Sequence, residues 1–162
     1  MAFVPMTPNL GFPAIAAVGD SAAWKLGDII RAVDPVYGVG EFIYLKGVGS
    51  TVLGSAVTYN ADDFTSTLLA ANAIGPVAVA MAATVANKYG WYQISGKAIV
   101  KAGTVVDDAN VYATGTPGQV DDAVVAGDRV KNAKFASADG TPSAGLAEVE
   151  IARPWMDDAV AA

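Results

Sequence analysis

From Pro76 onward the chain falls into short segments with partial two-residue alternation of apolar and polar positions: PVAVAMA, WYQISGKAIVK, NVYAT, GQVDD, DRVKNAKFASA and LAEVEIA. A two-residue period sends successive side chains to opposite faces of an extended chain, so each run predicts a β-strand. Between the runs lie SG, KAG, VDDAN, TPG, VAGD and ADGTPSAG, dense in residues that accept positive φ or preset a turn. Short strands at this spacing predict an all-β fold, a compact β-barrel or sandwich. The last run alternates most clearly. Leu146, Val149 and Ile151 interleave with Glu148 and Glu150, giving one face to a core and the other to water, although Ala147 blurs the phase.

Upstream the pattern is mixed. EFIYLKGVG predicts a strand that starts after a turn at Gly38 and Gly40 and ends at Gly47. In ADDFTSTLLAANAIG, Asp62 or Asp63 is placed to cap a helix, Phe64, Leu68 and Leu69 recur at helical spacing, and Gly75 lies beyond the end. These signals predict a short helix, and the Thr-Ser-Thr run argues against it. Residues 1–23 carry Phe3, Val4, Met6, Leu10, Phe12 and Ile15 spaced by Pro5, Pro8 and Pro13, which forbid a continuous helix. The expected organisation is an extended N-terminal arm (1–23), a single β-rich domain (24–155) and a flexible tail (156–162). The chain leaves the domain through Pro154, with Trp155 as its last large apolar group.

The length of 162 residues suits one domain with a sizeable core. Hydrophobic residues make up 53% of the chain, carried largely by Ala and Val. The longest apolar stretch, AIGPVAVAMAATVA, is shorter than the roughly 20 residues of a bilayer-crossing helix and is broken by Gly75 and Pro76. It reads as a buried strand, with no membrane as partner. The N-terminus lacks a basic region and has prolines where a signal peptide needs an apolar one, so secretion is not expected. A net charge of −6 argues against nucleic acid, whose phosphates require clustered Lys and Arg. The absence of Cys and His removes disulfides, thiolate metal sites and the commonest general base.

Little else in the sequence carries chemistry. The pairs Asp62-Asp63, Asp107-Asp108, Asp121-Asp122 and Asp157-Asp158 lack the ligand spacing of a calcium loop, and adjacent Asp side chains diverge in an extended chain, so turn roles are expected. GVGEF and GVGS are not phosphate loops, because no G-x-G-x-x-G or Walker lysine accompanies them. Ser21 in GDSAA has no histidine to activate it. Lys97 and Lys101 read as a solvated face or an edge guard. No catalytic residue, cofactor or metal is assigned. Trp91 and Tyr92 are expected on opposite faces of a strand, one in the core and the other exposed or against a partner. The candidate partner interface comprises Phe3, Val4, Met6, Phe12, Ile15, Trp91, Tyr92 and Trp155.

The segments YGWYQISGKAIV, VDDANVYATGTPGQVDD and GDRVKNAKFASADGTPSAGLAEVEIARPW together resemble head decoration (cement) proteins of tailed bacteriophages, over roughly residues 75 to 155. Shared are a Gly-aromatic-x-Gln-x-x-Gly strand, a return to a Gly-x-Val turn, a strand of small residues and a closing strand ending in Pro. The resemblance implies a non-enzymatic virion structural protein, made in the host cytoplasm. It would bind the capsid exterior as a homotrimer and hold major capsid protein subunits together. Two other classes stay open: a tail or fibre-associated virion module, against which the lack of a fibrous repeat counts, and a β-barrel enzyme or small-ligand binder using Asp and Tyr at its mouth.

Overall fold

A computed structural model of the chain describes residues 4, 5 and 14–158. These residues form twelve β-strands and no helix: β1 (Val4–Pro5), β2 (Val18–Gly19), β3 (Ile29–Asp34), β4 (Gly38–Lys46), β5 (Ala56–Tyr59), β6 (Ser66–Leu68), β7 (Ile74–Ala80), β8 (Tyr89–Lys101), β9 (Asn110–Ala113), β10 (Val120–Asp121), β11 (Arg129–Phe135) and β12 (Leu146–Asp157). The strands predicted after Pro76 coincide with β7 to β12. All the strand pairs are antiparallel and belong to one continuous sheet.

That sheet curls until it meets itself. Strands β5, β7, β12, β11, β9 and β10 pair in that order. The ring is completed where the Ala56 N–H donates to the Gly118 carbonyl at 3.0 Å, just ahead of β10. The inward positions are the alternating apolar residues of each strand, including Val77, Val79, Val111, Val130, Phe135, Val149 and Ile151. Most are β-branched or small, which suits a pleated wall packed at short range. The second half of β8 pairs with β12 from Leu146 to Ala152 and adds Ala98 and Val100 to this core.

The first half of β8 leaves the ring and carries β4, β3 and β1 outward in that order. Where β8 and the Phe42–Leu45 stretch of β4 lie side by side, both faces are covered. One face packs Phe42, Tyr44, Trp91, Met81 and Ile15, and the other packs Ile43, Leu45, Tyr92, Ile94 and Val57. Gly40 and Gly96 allow β4 and β8 to approach closely. A Cβ on Gly96 would lie 2.5 Å from the Val39 carbonyl oxygen, and its φ of +95° already disfavours a side chain. Gly38 turns the β3–β4 hairpin with φ +75°, whereas Gly40 is buried within β4 rather than in the turn expected for it.

Four further expectations are corrected. Trp91 and Tyr92 do point to opposite faces, but both are core, at 1% and 0% exposure, because β8 is covered on both sides. The helix expected within residues 61–75 is absent. Phe64 takes φ +56°, the Asp63 Oδ1 accepts from Thr65 N at 3.0 Å, and the chain continues as β6. The domain does not end at residue 155: β12 runs to Asp157, and Met156 is fully buried. Residues 14–23, expected in the arm, dock on the domain, since Ile15 is buried and β2 pairs with the start of β8.

Candidate interaction surface

In β3 the sequence IIRAVD alternates Ile29, Arg31 and Val33 with Ile30, Ala32 and Asp34. The second set faces inward, so the first faces out. Val33 stands opposite Val4 of β1 on one side and Val39 of β4 on the other. Directly opposed residues share a face, and all three are exposed, at 59% for Val4, 39% for Val33 and 42% for Val39. Ile29, on the same face of β3 beyond Arg31, and Val36, in the hairpin turn, are exposed apolar residues on either side of this row.

Two features hold the row in place. The Asp34 Oδ1 accepts from the backbone N–H of Val36 at 2.7 Å and of Tyr37 at 3.0 Å, fixing the β3–β4 hairpin. Partial burial, and then the charges of Glu148 and Asp34, raise the pKa of the nearby Tyr37 phenol. Arg31 stands opposite Glu41, and Glu41 Oε2 is 3.1 Å from an Arg153 guanidinium nitrogen. Apolar rows thus alternate with one charged row. Along its outer edge β3 pairs with β1 only at Ala32 and Val33, so that among the described residues the Ile29–Arg31 stretch is paired to β4 on one side and to no strand on the other.

Of the eight interface residues predicted from sequence, Val4 and Trp155 are exposed, while Ile15, Trp91 and Tyr92 are buried within the chain. Phe3, Met6 and Phe12 lie outside the described residues. The structure does not bring Val4 and Trp155 into one row, because they belong to β1 and β12, at separate places in the sheet order. Sequence reading missed Ile29, Val33 and Val39. Apolar and polar residues do not alternate along IIRAVD, so on this short strand the sequence does not separate the exposed apolar set from the buried one.

The aspartate pairs serve turns and ion pairs. Asp63 Oδ1 accepts from Thr65 N and Oγ1, and these hydrogen bonds hold its pKa below the ordinary value. Asp122 Oδ2 accepts from Val106 N at 3.0 Å and Asp121 Oδ1 from Ala123 N at 3.1 Å. Asp108 pairs with Lys134 at 2.7 Å and Asp157 with Lys131. Among the described residues no three acidic side chains gather as a metal site would require. Neither a protein-family model nor a curated protein sequence matches the chain.

Proposed function

We propose that this chain is a non-enzymatic virion structural protein that binds the outside of a tailed-phage head and stabilises contacts between major capsid protein subunits. The observation that carries the reading is the Val4–Val33–Val39 row, three apolar side chains in register across three strands and open to water. Contiguous exposed apolar surface beside a sparsely paired edge strand is the chemistry of a protein-binding face. The resemblance over residues 75 to 155 names the partner. A homotrimer of such chains presents three copies of the row, so that later contacts become intramolecular and gain avidity. Binding that requires the assembled head stabilises it by linkage.

The full chain mixed with mature heads of its phage, stripped of accessory proteins, is expected to appear by electron cryomicroscopy at symmetric positions on the shell and to raise the temperature at which heads rupture. Val33→Glu is expected to abolish both effects while leaving the melting temperature of the free protein unchanged. Density on the tail alone, or heads that never bind the protein, would overturn the reading.

A further inference from the structure

The outer face that carries the apolar row continues around the sheet. Val39 and Glu41 share a face of β4, Glu41 stands opposite Ser95 of β8, and Ser95 opposite Ala152 of β12. A second row crosses the same face, from Lys97 to Glu150 to Lys134 to Asn110, each directly opposite the next, so these side chains stand on one side of the sheet. They line a cleft of about 680 Å³ with Arg129 and Asn132. The cleft exists because the β11–β12 ladder breaks there. Lys131 faces Trp155 and Ala133 faces Ile151, so that Ala152, Arg153 and Pro154 stand against Asn132 alone. Gly96, Ala133 and Ala152 keep its middle free of bulk.

The charged side chains of the lining are Lys97, Arg129, Lys134 and Glu150. Lys97 is engaged by Glu148 at 2.7 Å and Lys134 by Asp108 at 2.7 Å. The second pair is open to water, where an ion pair contributes little and exchanges readily. Among the described residues Arg129 pairs with no carboxylate. One of its guanidinium nitrogens donates to Asn110 Oδ1 at 3.0 Å, which holds the fork at the cleft wall beside Lys134. We propose that the cleft receives an acidic peptide segment of the protein that covers the apolar row, with a carboxylate clamped between Arg129 and Lys134. Charge complementarity selects the occupant. A planar guanidinium and an ammonium match a carboxylate. Glu150, set between Lys97 and Lys134, repels a continuous line of negative charge such as a nucleic-acid backbone and leaves room for single acidic side chains. A basic segment would meet the like charges of Lys97, Arg129 and Lys134. The inference rests on the proposed binding face, which the cleft continues, and it adds what the apolar row lacks: a charged element that fixes the partner's register and speeds encounter.

The test is titration of the full chain with tetraglutamate capped at both ends, read by NMR of backbone amide and arginine side-chain signals, alongside binding to stripped heads. Tetraglutamate is expected to perturb Arg129 and Asn110. Its binding is expected to fall about tenfold in Arg129→Gln, the loss of one charge-assisted contact, and severalfold in Lys134→Gln. Glu150→Gln removes the like charge and is expected to tighten binding. Lys25→Gln, at an exposed lysine outside the lining, is expected to change nothing. The inference fails if tetraglutamate does not bind or if Glu150→Gln weakens its binding. It fails equally if Lys25→Gln weakens binding as much as Arg129→Gln does, which would make the attraction a property of any surface cation. Heads bound without a tetraglutamate response overturn the cleft alone, whereas a tetraglutamate response without head binding overturns the capsid reading and keeps the cleft as an acidic-peptide site for another partner.

Discussion

Trp91 and Tyr92 are neighbours in β8 yet belong to different cores: the Trp91 ring lies 5.0 Å from that of Tyr44 in one cluster, while Tyr92 packs in the other among residues such as Ile43 and Ile94. One strand therefore welds two hydrophobic layers. Trp91→Ala and Tyr92→Ala are each expected to cost about 3–5 kcal/mol, as large-to-small changes in a filled core do. Tyr92→Phe is expected to cost less than about 1 kcal/mol, because the hydrogen bond its hydroxyl donates to the Thr84 carbonyl is long at 3.4 Å. Urea denaturation of the three variants measures this, and an Ala variant as stable as the parent contradicts the double cover.

Gly96 is expected to reject any side chain. Its φ of +95° and the 2.5 Å approach of Val39 O to a built Cβ act together. Gly96→Ala is expected to lose at least about 2 kcal/mol, whereas Gly115→Ala, where a Cβ meets nothing within 4 Å, is expected to change stability by less than about 0.5 kcal/mol. Comparing their thermal midpoints decides the matter.

Asp128 is buried, and its Oδ1 accepts from the Asn72 N–H at 2.6 Å across 56 positions of sequence. Asp128→Ala removes a carboxylate acceptor that ties the loop at Asn72 to the domain, a loss of about 1–3 kcal/mol, as for hydrogen bonds to charged groups. Asp128→Asn keeps an acceptor oxygen and is expected to recover most of it. Equal destabilisation by both variants would show that charge, not the hydrogen bond, matters there.

Burial raises the phenol pKa of Tyr92, against weaker lowering by Ser66, Thr84 and Thr51, and burial also raises that of Tyr59. The unfolded chain then gives up these protons at lower pH than the folded one. The stabilisation is full below about pH 10 and is lost as pH rises through the folded values. With no His or Cys in the chain, stability is expected to be flat between about pH 6 and 8. Denaturation across the alkaline range, with tyrosinate absorbance followed alongside, tests both statements. Tyr92→Phe should move the alkaline loss to higher pH, and an unshifted loss would exclude Tyr92 as its source.

Legibility in the sequence followed how far each strand obeyed a single rule. From β7 to β12, turn residues bracket short alternating runs, and pattern alone located the strands. Where a strand is covered on both faces the two-residue rule still sets direction but no longer predicts exposure, which is why Trp91 and Tyr92 were assigned to different environments. Phe64, Leu68 and Leu69 imitated a helical stripe because three separate packing demands fell at helical spacing. Phe64 fills the space beside Gly27, Leu68 packs on the Tyr92 layer and Leu69 enters the barrel core. Pro154 looked like an exit from the fold, yet it follows Arg153 at φ +50° and is buried within β12. The exposed row of β3 was the least readable, since its opposition to Val4 and Val39 exists only once three strands are paired.

The closure at Gly118 also says where the barrel breathes. Ala56, Leu69 and Gly118 exchange a triangle of backbone hydrogen bonds, Ala56 N to Gly118 O at 3.0 Å, Leu69 N to Ala56 O at 2.9 Å and Gly118 N to Leu69 O at 2.8 Å. On one side of this triangle stands β10, a strand of two residues paired to β9 at two positions. On the other side stand strands bound along several positions. Opening should begin at this seam, as a leaf of β9 and β10 swinging from the rest, so the amides of Ala56 and Gly118 are the ring's early exchangers with deuterated solvent while those of central β8 wait for global unfolding.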